Sequence, residues 1–282
     1  MQKRYAGKHV KRNRKIKAAP IVIFISVLLM VTAVISAVFI INGEPASKKG
    51  SSGTLLDFDV NENAWEKLEA ETIVVVDAGH GFGDTGTFGG YLEGIEADAT
   101  MSIVSYLKTE LENRGITVLL THDGEEYPSA QEVVDTCARY GVSCKEEQIV
   151  DNNVFSATER AYYIAAMEKV IPIDLFISIH INSIPDHPDV DRYELYYYED
   201  GKGVKRTVSF CETLSEKLDN TTLVIGSDYD NAFVVTKLCE CPAVLVESGY
   251  ATNENAAKKI NSVEWRKEYA AVIAEAIEEE FK

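Results

Sequence analysis

Four short apolar runs that each end in histidine or glutamate place the strongest constraint on the fold. The first spans residues 73–83, Ile-Val-Val-Val-Asp-Ala-Gly-His-Gly-Phe-Gly, and it ends in a glycine-rich turn that carries His80. The other three runs end in His122, His180 and Glu247. Short apolar runs bounded by turn residues predict buried strands, and glycine allows the sharp bend after the first of them.

These polar strand ends indicate a shared site. The carboxyl ends of parallel strands meet at one edge of a sheet, where open α/β sheets bind their ligands. Two or three histidines with a glutamate are typical donors of a zinc site, and four such strand ends are hard to explain by core packing alone. The residues allow a site of three histidines (His80, His122 and His180) or of two histidines and one carboxylate. The chain has no His-Glu-x-x-His helix, so it is not a thermolysin-like protease.

The C-terminal three quarters of the chain alternates between strand and helix patterns, which predicts one α/β domain. An apolar stripe predicts a helix that begins near Glu96, and a capping box formed by Ser156 and Glu159 predicts another. Residues 192–198 predict a strand at the edge of the sheet. Residues 121–154 are the least regular part and predict an insertion over one face. Acidic residues at the end of the last helix oppose the helix dipole and predict fraying there.

The N-terminus predicts a membrane anchor. Residues 20–41 form a run of 22 residues without charge, long enough at about 1.5 Å per residue to cross a bilayer. Eight lysines and arginines, and no acidic residue, precede this run in residues 1–19. The positive-inside rule therefore predicts a cytoplasmic tail and an extracytoplasmic domain. We favour an uncleaved anchor over a signal peptide, whose apolar core is usually shorter. Residues 42–71 predict a linker.

The chain beyond the basic tail is strongly acidic, with 20 basic residues (28 less 8) against 45 acidic ones. This balance argues against a nucleic-acid partner, which requires a basic surface. Outside the membrane disulfides can form, and Cys137 and Cys144 could close a small loop. Buried thiols are an equally good interpretation. Cys239 and Cys241 are too close for an easy bridge and lack the second pair that a structural zinc site needs.

Four motifs follow one another in a characteristic order. They are Val-Val-Asp-Ala-Gly-His-Gly at 75–81, Glu-Ala-Asp-Ala-Thr-Met at 96–101, Leu-Phe-Ile-Ser-Ile-His-Ile-Asn at 175–182 and Pro-Ala-Val-Leu-Val-Glu-Ser-Gly-Tyr-Ala-Thr-Asn at 242–253. Together they resemble the zinc-dependent N-acetylmuramoyl-L-alanine amidases of the amidase 3 family. The resemblance covers residues 72–282 and implies a single three-layer domain, with a mixed, largely parallel sheet flanked by helices.

The resemblance also implies which residues form the site. By position in the motifs, His80, Glu96 and His180 resemble the family's three zinc ligands, and Glu247 resembles its catalytic carboxylate. A carboxylate at a helix start is favourably placed for the helix dipole, which agrees with a role for Glu96. Glu93, three residues earlier, remains an alternative ligand.

Five further residues have open interpretations. His122 stands where the family often has arginine, and it could line the cleft. Asp77 could orient a ligand or cap a turn, and Arg160 matches a family arginine that we expect to be structural. Asn182 could hold the substrate through its amide or close the turn. His187, in a Pro-Asp-His-Pro turn, is expected at the surface.

The function implied by the resemblance is peptidoglycan hydrolysis. The amide between N-acetylmuramic acid and L-alanine of the stem peptide would be cleaved by zinc-activated water, with Glu247 moving the proton. Expected partners are peptidoglycan and the membrane through the anchor, with the domain facing the cell wall. A protein activator of unknown identity is left open. Two alternatives remain: a zinc hydrolase acting on another cell-wall amide, and a catalytically silent wall-binding module.

Overall fold

A computed structural model describes residues 53–54, 71–144, 149, 155–218, 222–227 and 233–282. The predicted tail and anchor lie outside the described residues, and so does most of the predicted linker. Among the helices that are described, none is both long and apolar enough to cross a membrane.

The strands are β1 Gly53–Thr54, β2 Ile73–Ala78, β3 Thr117–Leu120, β4 Leu175–Asn182, β5 Glu194–Tyr198, β6 Leu223–Ser227 and β7 Ala243–Tyr250. The helices are α1 Glu96–Asn113, α2 Ala130–Arg139, α3 Ala157–Met167, α4 Val204–Leu218, α5 Val234–Lys237, α6 Glu254–Asn261 and α7 Val263–Phe281.

The seven strands form one sheet in the order β1-β3-β2-β4-β7-β5-β6. All neighbours are parallel except β5 and β7, which are antiparallel, so the predicted mixed, largely parallel sheet is confirmed. The edge position predicted for residues 192–198 is wrong, because β5 lies between β7 and β6. Strand β6 begins 25 positions after the last residue of β5. It was not predicted from the sequence pattern, so its pairing with β5 could not be anticipated.

Side chains of successive strand residues point to opposite faces of a sheet. In β2, Val74 and Val76 pack into the core beneath α1, α4 and α7, whereas Ile73 and Val75 pack into the core beneath α2, α3 and α5. Every residue of β2 is buried, as expected for a central strand with helices on both faces. The predicted three-layer α/β domain is therefore confirmed.

Two local expectations differ from the structure. The segment 121–154, expected to be the least regular part, contains a regular helix, α2, whereas its interpretation as an insertion stays a prediction. Helix α2 begins with a capping box between Ser129 and Glu132 and buries Val133 and Cys137 against α3. Its acidic and cysteine-rich composition concealed this amphipathic pattern. The last helix does not fray, since α7 continues to Phe281, which is only 6% exposed. Burial of this aromatic ring outweighs the unfavourable interaction of the terminal acids with the helix dipole.

Candidate metal centre

Three side chains from different parts of the chain converge at the carboxyl edge of the sheet. His80 follows β2, His180 lies near the end of the neighbouring strand β4, and Glu96 begins α1. One carboxylate oxygen, Glu96 Oε1, lies 3.2 Å from His80 Nε2 and 3.2 Å from His180 Nδ1. One ligand atom of each residue lies within 4.8 Å of the others. The predicted set of two histidines and one carboxylate is thus brought together.

Backbone N–H groups hold the Glu96 carboxylate in place. Thr87 N donates to Oε2 and Ile181 N donates to Oε1, each at 2.8 Å. Burial alone would raise the pKa of Glu96, but its interactions with His180 and His80 outweigh this effect and hold the pKa far below its ordinary value. Glu96 is therefore ionised at neutral pH and can act as an anionic ligand.

The loop that carries His80 fixes the orientation of its ring. His80 has a left-handed φ of 67°, a conformation that non-glycine residues seldom adopt and that is found mainly where neighbouring structure enforces it. Its Nδ1 donates to Asp84 Oδ2 at 2.9 Å, and Asp84 Oδ1 accepts from Gly86 N at 3.0 Å. Asp84 was not identified from the sequence. Its position four residues after His80, in the same glycine-rich turn, was the available signal.

This arrangement fits a bound cation. With its Nδ1 proton directed to Asp84, a neutral His80 presents the lone pair of Nε2 to the Glu96 carboxylate. Two acceptors that face each other at 3.2 Å require a proton or a metal ion between them. Burial lowers the pKa of His80, but the hydrogen bonds and charges of Glu96 and Asp84 outweigh it and raise the pKa above its ordinary value. Two imidazoles and one carboxylate, with a second carboxylate on the imidazole, are the donors that zinc commonly takes.

Two glycines allow the ligand side chains to approach the backbone. A Cβ atom on Gly79 would lie 2.5 Å from Cε1 of His180. A Cβ atom on Gly86 would lie 2.6 Å from both Glu96 Oε2 and His80 Cδ2, and this glycine has a φ of +61°. The glycine-rich motif therefore serves close packing around the site as well as the bend of the chain.

Glu247 lies beside this cluster, directly opposite His180 in the pairing of β4 and β7. It is buried, and its Oε2 has no hydrogen-bond partner in the described part of the chain. Burial, followed by the charges of Glu96 and Glu194, raises the pKa of Glu247 to about 8. A carboxyl group that exchanges its proton near neutral pH is suited to general acid–base chemistry.

A cavity of about 590 Å³ opens over the cluster. Its polar wall includes His80, Glu96, His180, Asn182 and Glu247, so the candidate ligands and the candidate base face the same space. The rest of the lining is mostly apolar, and it includes Phe88, Ala157, Ile181, Phe233, Val234, Val235 and Leu245.

A buried carboxylate behind the cavity was missed from the sequence. Glu194 is paired with Glu247 across β5 and β7 and is 2% exposed. It accepts hydrogen bonds from Tyr196 Oη at 2.6 Å, Asn182 Nδ2 at 3.0 Å and Arg192 Nε at 2.8 Å. It lies in a Tyr-rich strand with no turn signal beside it, so only the strand pairing reveals its position.

The histidine that the family pattern does not contain lies outside the cluster. His122 is 2% exposed and its Nε2 bonds to the Ala78 carbonyl oxygen at 2.9 Å. It does not line the cavity, and the three-histidine alternative is wrong for the described residues, where Glu96 takes the third position. Glu93 is exposed and does not join the cluster, and His187 is at the surface as expected.

The remaining predicted residues have structural contacts. Asp77 is fully buried. Its carboxylate accepts hydrogen bonds from Thr121 Oγ1 and Ser178 Oγ, each at 2.6 Å, and forms an ion pair with Arg160 Nε at 3.1 Å. Among the described contacts it therefore neither caps a turn nor orients a candidate ligand. The structural interpretation of Arg160 is confirmed by this ion pair. Asn182 lines the cavity and also accepts from Ser183 N, which closes the turn. Cys137 and Cys144 are free thiols.

Comparison with known proteins agrees with this geometry. Residues 74–279 match the family model Amidase_3, N-acetylmuramoyl-L-alanine amidase. The germination-specific N-acetylmuramoyl-L-alanine amidase of Bacillus subtilis is 23% identical over 77% of this chain and 84% of its own length.

Solved structures show the same fold. The N-acetylmuramoyl-L-alanine amidase AmiC2 of Nostoc punctiforme is 26% identical, with a TM-score of 0.52 over 73% of this chain and 94% of that one. The CwlD amidase of Clostridioides difficile, solved in complex with the GerS lipoprotein, is 22% identical, with a TM-score of 0.57 over 74% of this chain and 98% of that one. Since the family model spans most of the chain and the ordered motifs surround one cavity, the chain belongs to the Amidase_3 family of N-acetylmuramoyl-L-alanine amidases.

Proposed function

We propose that this peptidoglycan amidase uses a zinc ion held by His80, Glu96 and His180, with Glu247 as its catalytic carboxylate. The observation that carries the proposal is the convergence of two imidazoles on one oxygen of Glu96, beside the buried Glu247, whose Oε2 has no partner among the described residues. The bond cleaved is the amide between N-acetylmuramic acid and the L-alanine of the stem peptide.

Zinc, when bound, supplies a Lewis acid that polarises a carbonyl group and makes water more acidic. The chain's own residues do the rest. Glu247 takes the proton of the attacking water and passes it to the nitrogen of the leaving L-alanine. In the metal-free protein, burial and nearby carboxylates raise the pKa of Glu247 to about 8, and a bound cation would lower it toward the neutral range in which a carboxylate can both take and return a proton. Glu96 remains anionic throughout, because its carboxylate is held by two backbone N–H groups.

The cavity accounts for how a substrate amide could be held. Its apolar lining favours the methyl-bearing lactyl and alanyl groups on either side of the scissile bond, and burial there removes bulk water from the reacting atoms. Asn182 contributes a polar wall group next to the ligands. Its Nδ2 donates to Glu194 and its Oδ1 accepts from Ser183 N, so these neighbours define the orientation of its amide.

We also propose that residues 20–41 anchor the enzyme in the membrane, with the N-terminus in the cytoplasm and the amidase domain facing the cell wall. The uncharged run and the basic residues before it support this topology. Anchoring would raise the effective concentration of the domain near its substrate. The complex of the CwlD amidase with the GerS lipoprotein supports a further proposal, that a partner protein assists this enzyme.

The test uses the full-length protein in detergent on purified peptidoglycan, with new L-alanine amino termini followed by mass spectrometry. We expect release that needs zinc, stops with chelator and falls by about 10²–10⁴-fold in Glu247→Gln. Glu93→Gln is the matched control, because Glu93 is an exposed glutamate three residues before Glu96 that does not line the cavity. Cleavage at another bond would reject the amidase assignment. Bound zinc without release, with and without a candidate activator, would favour the wall-binding module.

A further inference from the structure

A second group of side chains with metal-ligating atoms lies away from the catalytic edge. Glu168 caps the C-terminal end of α3, and Cys239 and Cys241 come just before β7. We infer that Glu168, Cys239 and Cys241 form a second metal site, which takes a thiophilic divalent ion such as Zn²⁺ or Cd²⁺. Along β7, Glu247 lies four positions after the first residue, Ala243, so about 13 Å of strand lies between the start of β7 and the catalytic carboxylate.

The three residues offer a compact donor set. One ligand atom of each lies within 4.8 Å of the other two. From the sequence, the Cys-Glu-Cys motif lacked further donors, but the fold supplies Glu168 from 71 positions earlier. Two sulfur donors and one carboxylate favour zinc or cadmium over magnesium or calcium, which prefer oxygen donors only. Water would complete a tetrahedral site.

Backbone N–H groups hold the Glu168 carboxylate in place, as is usual for carboxylates that bind a metal ion. It accepts from Glu240 N at 2.9 and 3.1 Å and from Cys241 N at 2.9 Å. A carboxylate has about four lone-pair sites, so these hydrogen bonds still leave it able to coordinate an ion. Among the described ion pairs, Lys169 and Lys202 both pair with Glu240 rather than with Glu168.

The thiols are available for coordination. Both cysteines are free, and Cys239, which is 5% exposed, donates from Sγ to the Val235 carbonyl oxygen at 3.0 Å. Metal binding would displace this proton, so affinity should increase with pH. Cys241 is partly buried, and its sulfur lies beside that of Cys239 and beside the Glu168 carboxylate. The bound ion would join the end of α3 to the start of β7, the strand that carries Glu247, and would stabilise the domain.

Cadmium provides a selective test, because cadmium bound to thiolate absorbs in the ultraviolet and the proposed catalytic ligands contain no sulfur. The full-length protein, kept reduced, is titrated with Cd²⁺. We expect thiolate absorption that saturates at one ion per chain and is lost in Cys239→Ser and Cys241→Ser. Glu168→Gln should weaken cadmium binding by about 10-fold or more. His80→Ala should retain the absorption, which separates this site from the catalytic one.

The double variant Cys137→Ser/Cys144→Ser is the matched control, because it removes the other pair of neighbouring thiols, and it should retain the signal. Absence of thiolate absorption in the wild type, or an unchanged signal in Cys239→Ser and Cys241→Ser, would overturn the inference. If the serine variants do not fold, alkylation of the wild type decides. Cd²⁺ should protect Cys241 but not the partly buried Cys144, and equal alkylation of both with and without Cd²⁺ would also overturn it.

Discussion

Replacing Gly79 with alanine tests whether His180 needs its present position. A Cβ atom at residue 79 would lie 2.5, 2.6 and 2.7 Å from Cε1, Nδ1 and Nε2 of the His180 ring. Ordinary contact begins at 3.4 Å, so the ring must retreat by 0.9 Å (3.4 less 2.5) or the strand end must shift. Gly79 has no left-handed φ, so alanine introduces no backbone strain that would confuse the result.

The expected loss follows from that distance. A binding constellation tolerates about 0.5 Å of displacement, and a 1 Å misplacement can cost about 10²-fold in rate. We therefore expect Gly79→Ala to lower zinc affinity by about 10–100-fold, as loss of supporting contacts does at other metal sites, and amidase activity by about 10²-fold. Overpacking should cost about 1–3 kcal/mol of stability, which leaves a folded protein to assay.

Zinc affinity is measured by competition with a chromophoric chelator, and activity by release of L-alanine amino termini. Gly201→Ala is the control, because its Cβ would meet only Tyr198, at 3.2 Å from the carbonyl oxygen, and its φ is also outside the left-handed range. Wild-type zinc affinity and wild-type activity in a folded Gly79→Ala protein would refute the assignment of His180 as a ligand that depends on this close packing.

Three further predictions concern neighbouring groups. Asp84→Asn should lower zinc affinity by about 10–100-fold with little change in melting temperature, since it removes only the carboxylate that orients His80; unchanged chelator competition would contradict this. Arg160→Met should cost about 3–5 kcal/mol in urea unfolding, because it leaves Asp77 buried without its cation, and a loss below about 1 kcal/mol would argue against the ion pair. In metal-free protein, burial and nearby carboxylates raise the pKa of Glu247 from 4.5 to about 8. The contribution of the protonated Glu247 side chain to the free energy of unfolding is therefore fully present below pH 4.5 and is lost as the pH rises through about 8. The melting temperature of Glu247→Gln should therefore rise relative to the wild type across that interval, and a constant difference would show that the pKa is not raised.

Three of the four candidate site residues could be predicted from residue patterns, because a residue at the end of a parallel strand lies at a known edge of the sheet. His80, His180 and Glu247 follow apolar runs, and parallel pairing of β2, β4 and β7 necessarily aligns those ends. Glu96 required the resemblance, since an acidic residue at a helix start is common. No local pattern could exclude His122, because its exclusion depends on a hydrogen bond to the Ala78 carbonyl oxygen across β2 and β3.

The sequence by itself determined the layered class and most of the central strands and helices, because burial of apolar residues with periods of two and 3.6 is a local requirement. Tertiary structure alone decided which donors meet. The position of β5 between β7 and β6 places Glu194 behind Glu247, and hydrogen bonds from the backbone of Glu240 and Cys241 hold Glu168 next to two cysteines. These meetings depend on strand order and on contacts between residues far apart in the chain, which no window of sequence contains.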